Sequence, residues 1–140
     1  MKISAVARTN VVTCSPDTPI REVAEIMIKK NIGSVIVVDP AKPTGPIGIV
    51  GERDVVKAFA AGLDPSTPAS EIMSKLLVTI DADAHVAEAL LLMREANVRR
   101  LVVTKGGELY GVIALKDIVY DIPLLKNHRR LFHQRKNINT

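Results

Sequence analysis

Apolar positions along the chain change period in a fixed order. Val11-Val12-Thr13-Cys14 predicts a short strand, and Ser15-Pro16-Asp17 a turn after it. Ile20, Val23, Ala24, Met27 and Ile28 then recur at helical spacing, which predicts a helix capped by Thr18, opened by Pro19, running to about Asn31 and stopped by Gly33. The β-branched run Ser34 to Asp39 reads as a buried strand, with Ile47 to Val50 as its neighbour. Between them, Pro40 to Pro46 holds three prolines and predicts a surface loop. A second helix is expected from Glu52 to Ala61, ended by Gly62.

The same order then runs again. Ser70 to Met73 predicts a short helix, Leu77 to Ile80 a strand, Val86 to Ala96 a helix, Arg100 to Thr104 a strand, Gly106-Gly107 a turn, Leu109 to Ile113 a strand, and Leu115 the start of a last helix. Individual residues recur too: Ser4, Val12, Thr13, Asp17, Glu22, Met27, Asn31 and Val37 return 66 positions later as Ser70, Val78, Thr79, Asp83, Glu88, Met93, Asn97 and Val103. Gly48, Asp54 and Val56 return 63 positions later as Gly111, Asp117 and Val119. Two copies of one half-domain imply a pseudo-twofold body with a shared apolar face and two equivalent clefts. The expected fold is mixed α/β (α+β), two β-α-β-β-α repeats packed through their small sheets. Its divisions are 3–62 for the first repeat, 63–68 for a linker, 69–122 for the second repeat and 123–140 for a tail.

Composition narrows the function. A hydrophobic content of 47% in 140 residues supports one real core, while two Phe, two Tyr and no Trp leave little surface for stacking bases. The lone Cys14 excludes an internal disulfide and fits a small core residue in a reducing compartment. No apolar run is long enough to span a bilayer and Met1 to Ser4 opens no signal peptide, so a cytoplasmic chain with no membrane partner is expected. The net charge of +4 is local. All fifteen acids lie at or before Asp121, against fourteen Lys and Arg, and the remaining five basic residues, Lys126, Arg129, Arg130, Arg135 and Lys136, follow it.

Each copy opens with Val-Thr and a following acid (Val12-Thr13 with Asp17, Val78-Thr79 with Asp83). Each closes on Gly-apolar-apolar and an acid: Gly48-Ile49-Val50-Gly51-Glu52-Arg53-Asp54 and Gly111-Val112-Ile113-Ala114-Leu115-Lys116-Asp117. These motifs, in this order and duplicated, resemble the CBS domain, and the tandem over roughly residues 3–122 resembles a CBS pair, or Bateman module.

The resemblance implies a regulatory or energy-sensing module that binds an adenosine nucleotide, AMP, ADP or ATP with S-adenosylmethionine ranked behind them, in clefts between the copies. Asp54 and Asp117 would accept the ribose hydroxyls, a geometry open to a carboxylate. Ile49, Val50, Val112 and Ile113 would lie against the purine. Carried over position by position, Asp54 shares a cleft with Val78, Thr79, Arg99 and Arg100, and Asp117 with Val12, Thr13, Gly33 and Ser34. Arg99 and Arg100 are then the phosphate candidates and the Asp54 cleft the better phosphate site, with Arg53 and Lys116 beside the acids as further candidates. Alternation along a strand sends Arg99 and Arg100 opposite ways, so one of them is expected to be structural; pairing with Glu88 or Glu95 is the bland alternative for both.

The two acids have a bland alternative as well, a capping contact at a helix start. The chain departs from the family at Gly51 and Ala114, where nucleotide-binding members often carry Ser or Thr. The resemblance also implies a homodimer formed by exposed apolar helix faces, for which Val55, Val56, Ala58 and Phe59 with Leu90, Leu91 and Leu92 are candidates.

No Ser-His-Asp or Cys-His arrangement and no phosphate-binding glycine loop is present, and His85, His128 and His133 share no ligand spacing. The chain is therefore expected to be no enzyme, to hold no metal or cofactor, and to act on a separate regulated protein. Two other classes stay open. Lys126 to Lys136 could bind nucleic acid through its charge, against a tail that is solvated or folds over a dimer partner. Gly51 and Ala114 favour a structural dimer with vestigial clefts.

Overall fold

The computed structural model describes residues 1–121. Its first half contains β1 (Thr13–Cys14), α1 (Ile20–Lys30), β2 (Ser34–Asp39), β3 (Lys42–Gly51) and α2 (Glu52–Ala60). The second contains β4 (Thr79–Asp81), α3 (Val86–Ala96), β5 (Arg100–Lys105), β6 (Glu108–Ala114) and α4 (Leu115–Asp121). A short 3-10 turn precedes each half, at Ile3–Ala5 and Ala69–Glu71. The halves form two three-stranded sheets of the same build, in the orders β1-β2-β3 and β4-β5-β6. In each, the first pair is parallel and the second antiparallel.

Alternation along the central strands divides the interior into three layers. Val35 and Val37 of β2 point to the helices of the first half, where Val23, Met27 and Val50 meet them. Leu101 and Val103 of β5 do the same against Ala89, Met93 and Ile113. The intervening residues, Ile36, Val38 and Val102, face one another between the sheets, with Ile49, Leu77 and Val112 around them. That middle layer is the shared apolar face that duplication implied.

The segments before the strands cross between halves. Ile3 is fully buried among Ala82, Leu101 and Ile113 of the second half, where its N–H donates to the Ala84 carbonyl at 2.9 Å. Ala69 is fully buried in the first half's core, and its N–H donates to the Thr18 carbonyl at 2.8 Å. Each half is completed by a piece of chain that precedes the other.

Several local expectations change. Pro43 and Pro46 do not lie in a loop: β3 begins at Lys42, and the hairpin turns over Pro40 and Ala41, where Asp39 Oδ1 accepts the Ala41 N–H at 2.9 Å. Proline is tolerated because β3 is an edge strand and its pairing shifts register on both sides of Val38. Thr18 is not the cap of α1, since its Oγ1 accepts the Ser15 N–H at 3.0 Å and Pro19 holds the cap position. The helix is stopped by Asn31 in the left-handed region (φ 53°), as α3 is by Asn97 (φ 55°), and not by Gly33. The first strands are also shorter than their apolar runs. Val12 and Val78 precede them, although their carbonyls accept from the Ile36 and Val102 N–H groups at 3.1 and 3.0 Å.

Candidate functional site: two clefts between the halves

Helices α2 and α4 start where β3 and β6 end, and this junction places the two closing acids. Asp54 Oδ2 accepts the Gly51 N–H at 2.8 Å; Asp117 Oδ2 accepts the Ala114 N–H at 3.0 Å. Both acids therefore make the capping contact, using one oxygen each. The second oxygens differ. Asp54 Oδ1 has no hydrogen-bond partner among the described residues. Asp117 Oδ1 accepts from Arg8 twice, from Nε at 3.3 Å and Nη2 at 3.1 Å.

Arg8 was not singled out from the sequence. Its backbone pairs with Val112 in both directions, at 2.9 and 3.0 Å, as that of Ser74 pairs with Ile49 at 2.9 and 3.0 Å. Arg8 and Ser74 are thus counterparts in the repeat, separated by the same 66 positions. A guanidinium standing where the other copy has a hydroxymethyl group was the available signal.

Two clefts open between the halves. One, of about 930 Å³, is lined by Asp54, Arg53, Ile49, Val78, Arg99 and Arg100, with Ser34 and Ser74 at its sides. The other, of about 60 Å³, is lined by Asp117, Lys116, Val112, Val12, Gly33 and Ser34, together with Arg8 and Arg100. Val50 and Ile113 line neither. Both are fully buried in the helix-side cores, on the strand faces opposite Ile49 and Val112, and have no surface to offer a purine. Thr13 and Thr79 are exposed but also lie outside both linings.

The arginines differ from the expected placement in one respect. Arg99 and Arg100 both border the large cleft, and Arg100 borders the small one too. Arg100 is the counterpart of Ser34, and both residues line both clefts, which puts them beside the pseudo-twofold axis. Gly33 makes room there: a Cβ on it would collide with Arg100 Nη2. Neither arginine forms an ion pair with Glu88 or Glu95. Charge does not distinguish the clefts. Arg53, Lys57, Arg99 and Arg100 face Glu52 and Asp54 in one, and Arg8, Arg100 and Lys116 face Asp117 in the other, a formal +2 each. Room and the state of the carboxylate do distinguish them.

Elsewhere, Cys14 is buried in the first core, where desolvation raises its thiol pKa, the Thr18 hydrogen bond opposes the rise and nearby Glu22 adds to it. No three His, Cys, Asp or Glu side chains gather as metal ligands among the described residues. No helix among them is long and apolar enough to cross a membrane. The basic stretch Lys126 to Lys136 lies outside the described residues.

The family model for the CBS domain matches residues 3–61 and 69–123. The chain belongs to the CBS domain family. It carries the CBS domain twice, as a tandem pair. An uncharacterised protein of Methanopyrus kandleri is 38% identical over 128 residues, which cover 89% of this chain and 64% of that protein. A CBS domain protein from Pyrobaculum aerophilum, solved complexed with AMP, is 30% identical, with a TM-score of 0.83 over 91% of this chain and 97% of that one. A CBS domain pair solved with 5′-methylthioadenosine and S-adenosyl-L-methionine shares the fold at 24% identity, with a TM-score of 0.76 over 85% of this chain and 97% of that one.

Proposed function

We propose that this CBS pair is a non-catalytic regulatory module that binds an adenosine nucleotide, AMP, ADP or ATP, in the Asp54 cleft. The observation that carries the reading is the half-engaged carboxylate. Asp54 is fixed by its bond to the Gly51 N–H and keeps Oδ1 for a ribose diol. Around it, Ile49 and Val78 offer an apolar wall, and Arg99 and Arg100 offer cations to a phosphate. A cleft of about 930 Å³ lies within the range of small-molecule sites. The AMP complex of the Pyrobaculum relative supports the ligand class.

The cleft lies between two halves that meet through a middle layer of only a few buried residues. A ligand bound there gains contact with both halves, and it can shift their arrangement only by as much as it favours one arrangement over another. Such a module sits in the cytoplasm and reports nucleotide to a separate partner protein. Two copies of the chain would pair through helix faces. Val56 and Phe59 of α2 are 65% and 87% exposed, and Leu91 of α3 is 59% exposed, an apolar area that pairing would cover. Of the other candidates, Ala58 is buried within its own half, and Val55 and Leu92 pack partly on the cores.

Calorimetric titration with AMP, ADP, ATP and S-adenosylmethionine in turn tests the reading, with light scattering for the dimer. The expected result is one bound nucleotide per chain. Absence of heat from every adenosine compound at millimolar concentration would overturn the ligand, and a monomer at micromolar concentration the pairing.

A further inference from the structure

We propose that Arg8 is an internal lock on the Asp117 cleft, limiting this chain to one nucleotide per CBS pair. The inference rests on the nucleotide reading of the Asp54 cleft and adds to it a reason for unequal sites. A ribose diol needs a carboxylate oxygen with free lone pairs. Asp117 has neither oxygen free: Oδ2 accepts the Ala114 N–H and Oδ1 accepts from Arg8 Nε and Nη2, which leaves a single acceptor position where a diol needs two. Both guanidinium N–H groups converge on the one oxygen, a charge-assisted contact.

The lock has a built-in comparison within the molecule. Ser74 occupies the place of Arg8 in the other half, on the same backbone pairing, and leaves Asp54 Oδ1 without a partner among the described residues. The clefts follow this difference, about 60 Å³ beside Arg8 and about 930 Å³ beside Ser74. Only the larger has room for a nucleotide, since small-molecule sites run from roughly 300 Å³ upward. The lock also has a stable root. The Arg8 backbone is bonded in both directions to Val112, so its side chain starts from a fixed point at the mouth of the cleft, with Asp117 only 12% exposed beneath it. Apparent affinity at the second cleft is reduced by the fraction of molecules in which Arg8 has let go.

The test is AMP titration of the full chain by calorimetry, comparing wild type, Arg8→Ser, Arg8→Ala and Asp54→Ala. Arg8→Ser copies the residue of the other half, and Arg8→Ala keeps the backbone pairing should the serine variant fold poorly. Wild type is expected to bind one AMP, and each Arg8 variant two, the second within about tenfold of the first in affinity. Asp54→Ala is expected to weaken the wild-type site by about ten- to a hundredfold, whereas Arg8→Ser with Asp54→Ala regains one site of near wild-type affinity. One AMP bound by folded Arg8 variants overturns the lock and leaves the nucleotide reading standing. Two bound by wild type and one by the variants would make Arg8 a phosphate ligand, which also overturns it. No AMP bound by any of the proteins overturns the nucleotide reading and the lock together.

Discussion

Around Asp54, a carboxylate tied to one backbone N–H leaves its other oxygen towards a cleft of about 930 Å³; around Asp117, the same tie is made and Arg8 takes the other oxygen, beside about 60 Å³. The backbones match: each acid follows an antiparallel hairpin, each caps the helix it begins, and each hairpin pairs with the segment preceding a first strand. Equal folds thus carry unequal sites, and the inequality traces to side chains at matched positions. Duplication keeps the scaffold, and Arg8 against Ser74 is one matched position at which the two clefts differ.

The largest expected effect separates the acids. Asp54→Ala should weaken AMP binding by about 1.5–3 kcal/mol, the worth of hydrogen bonds to a charged group, while Asp117→Ala leaves affinity almost unchanged. Both variants lose a cap, about 1 kcal/mol of stability, and Asp117→Ala should melt the earlier of the two because it also loses the Arg8 contact. Calorimetry and thermal melting together check this. Equal losses of affinity would mean that the clefts are equivalent in solution.

Next in size is the phosphate. Arg100→Ala should cost about 1.4 kcal/mol in AMP affinity, roughly tenfold, and much less for adenosine, which lacks the phosphate. Arg99→Ala should cost less, because Arg99 is the more exposed and borders only the large cleft. If AMP and adenosine lose affinity by one factor, Arg100 shapes the cleft and is no phosphate ligand.

Much of this fold was legible in the sequence because duplication supplied an internal check. Val86 to Ala96 and Ser34 to Asp39 were marked by period and by β-branching, and the structure has both with those bounds. The strand Lys42 to Gly51 was not legible, since its prolines are acceptable only on an edge, and edge position depends on strand order. Within the site, period alone could not tell which of Ile49 and Val50, or Val112 and Ile113, faces the cleft; packing decides that Val50 and Ile113 belong to the cores. Arg8 was missed for a related reason. It lies outside the closing motifs, and its contact with Asp117 spans 109 positions of sequence.

A smaller effect concerns the missing hydroxyl. A Cβ on Gly51 would meet Asp54 Oδ2, the Gly33 carbonyl and Arg100 Nη1 at 3.7, 3.9 and 4.0 Å, all ordinary contacts, and its φ of −99° suits any residue. Gly51→Ser should therefore stabilise the fold by about 0.3 kcal/mol as a better cap, and tighten AMP binding if the hydroxyl reaches the ligand. A lower melting temperature would show that the junction is less tolerant than its geometry.

The smallest effect distinguishes Cys14 from its counterpart Ile80. Burial raises the Cys14 thiol above its ordinary 9.0, so the native state holds this proton more tightly than the unfolded chain. The associated stability is fully present below the unfolded pKa and is lost as pH rises from there through the folded value. Chemical denaturation from pH 8 to 10 should show that decline, and Cys14→Val should flatten it. An unchanged slope in the variant would assign the decline to other groups.

The exchange of leading segments bears on synthesis. During synthesis Ile3 leaves the ribosome well before its neighbours Leu101 and Ile113, which follow about a hundred residues later. The first half can meanwhile close once Ala69 appears, which gives it a head start. Until the second sheet arrives, Ile3 to Ala7 have no core to enter, and Ile36 and Val38 have no opposing sheet. During synthesis this arrangement favours closure of the first half before the second, with the clefts completed once both sheets are present.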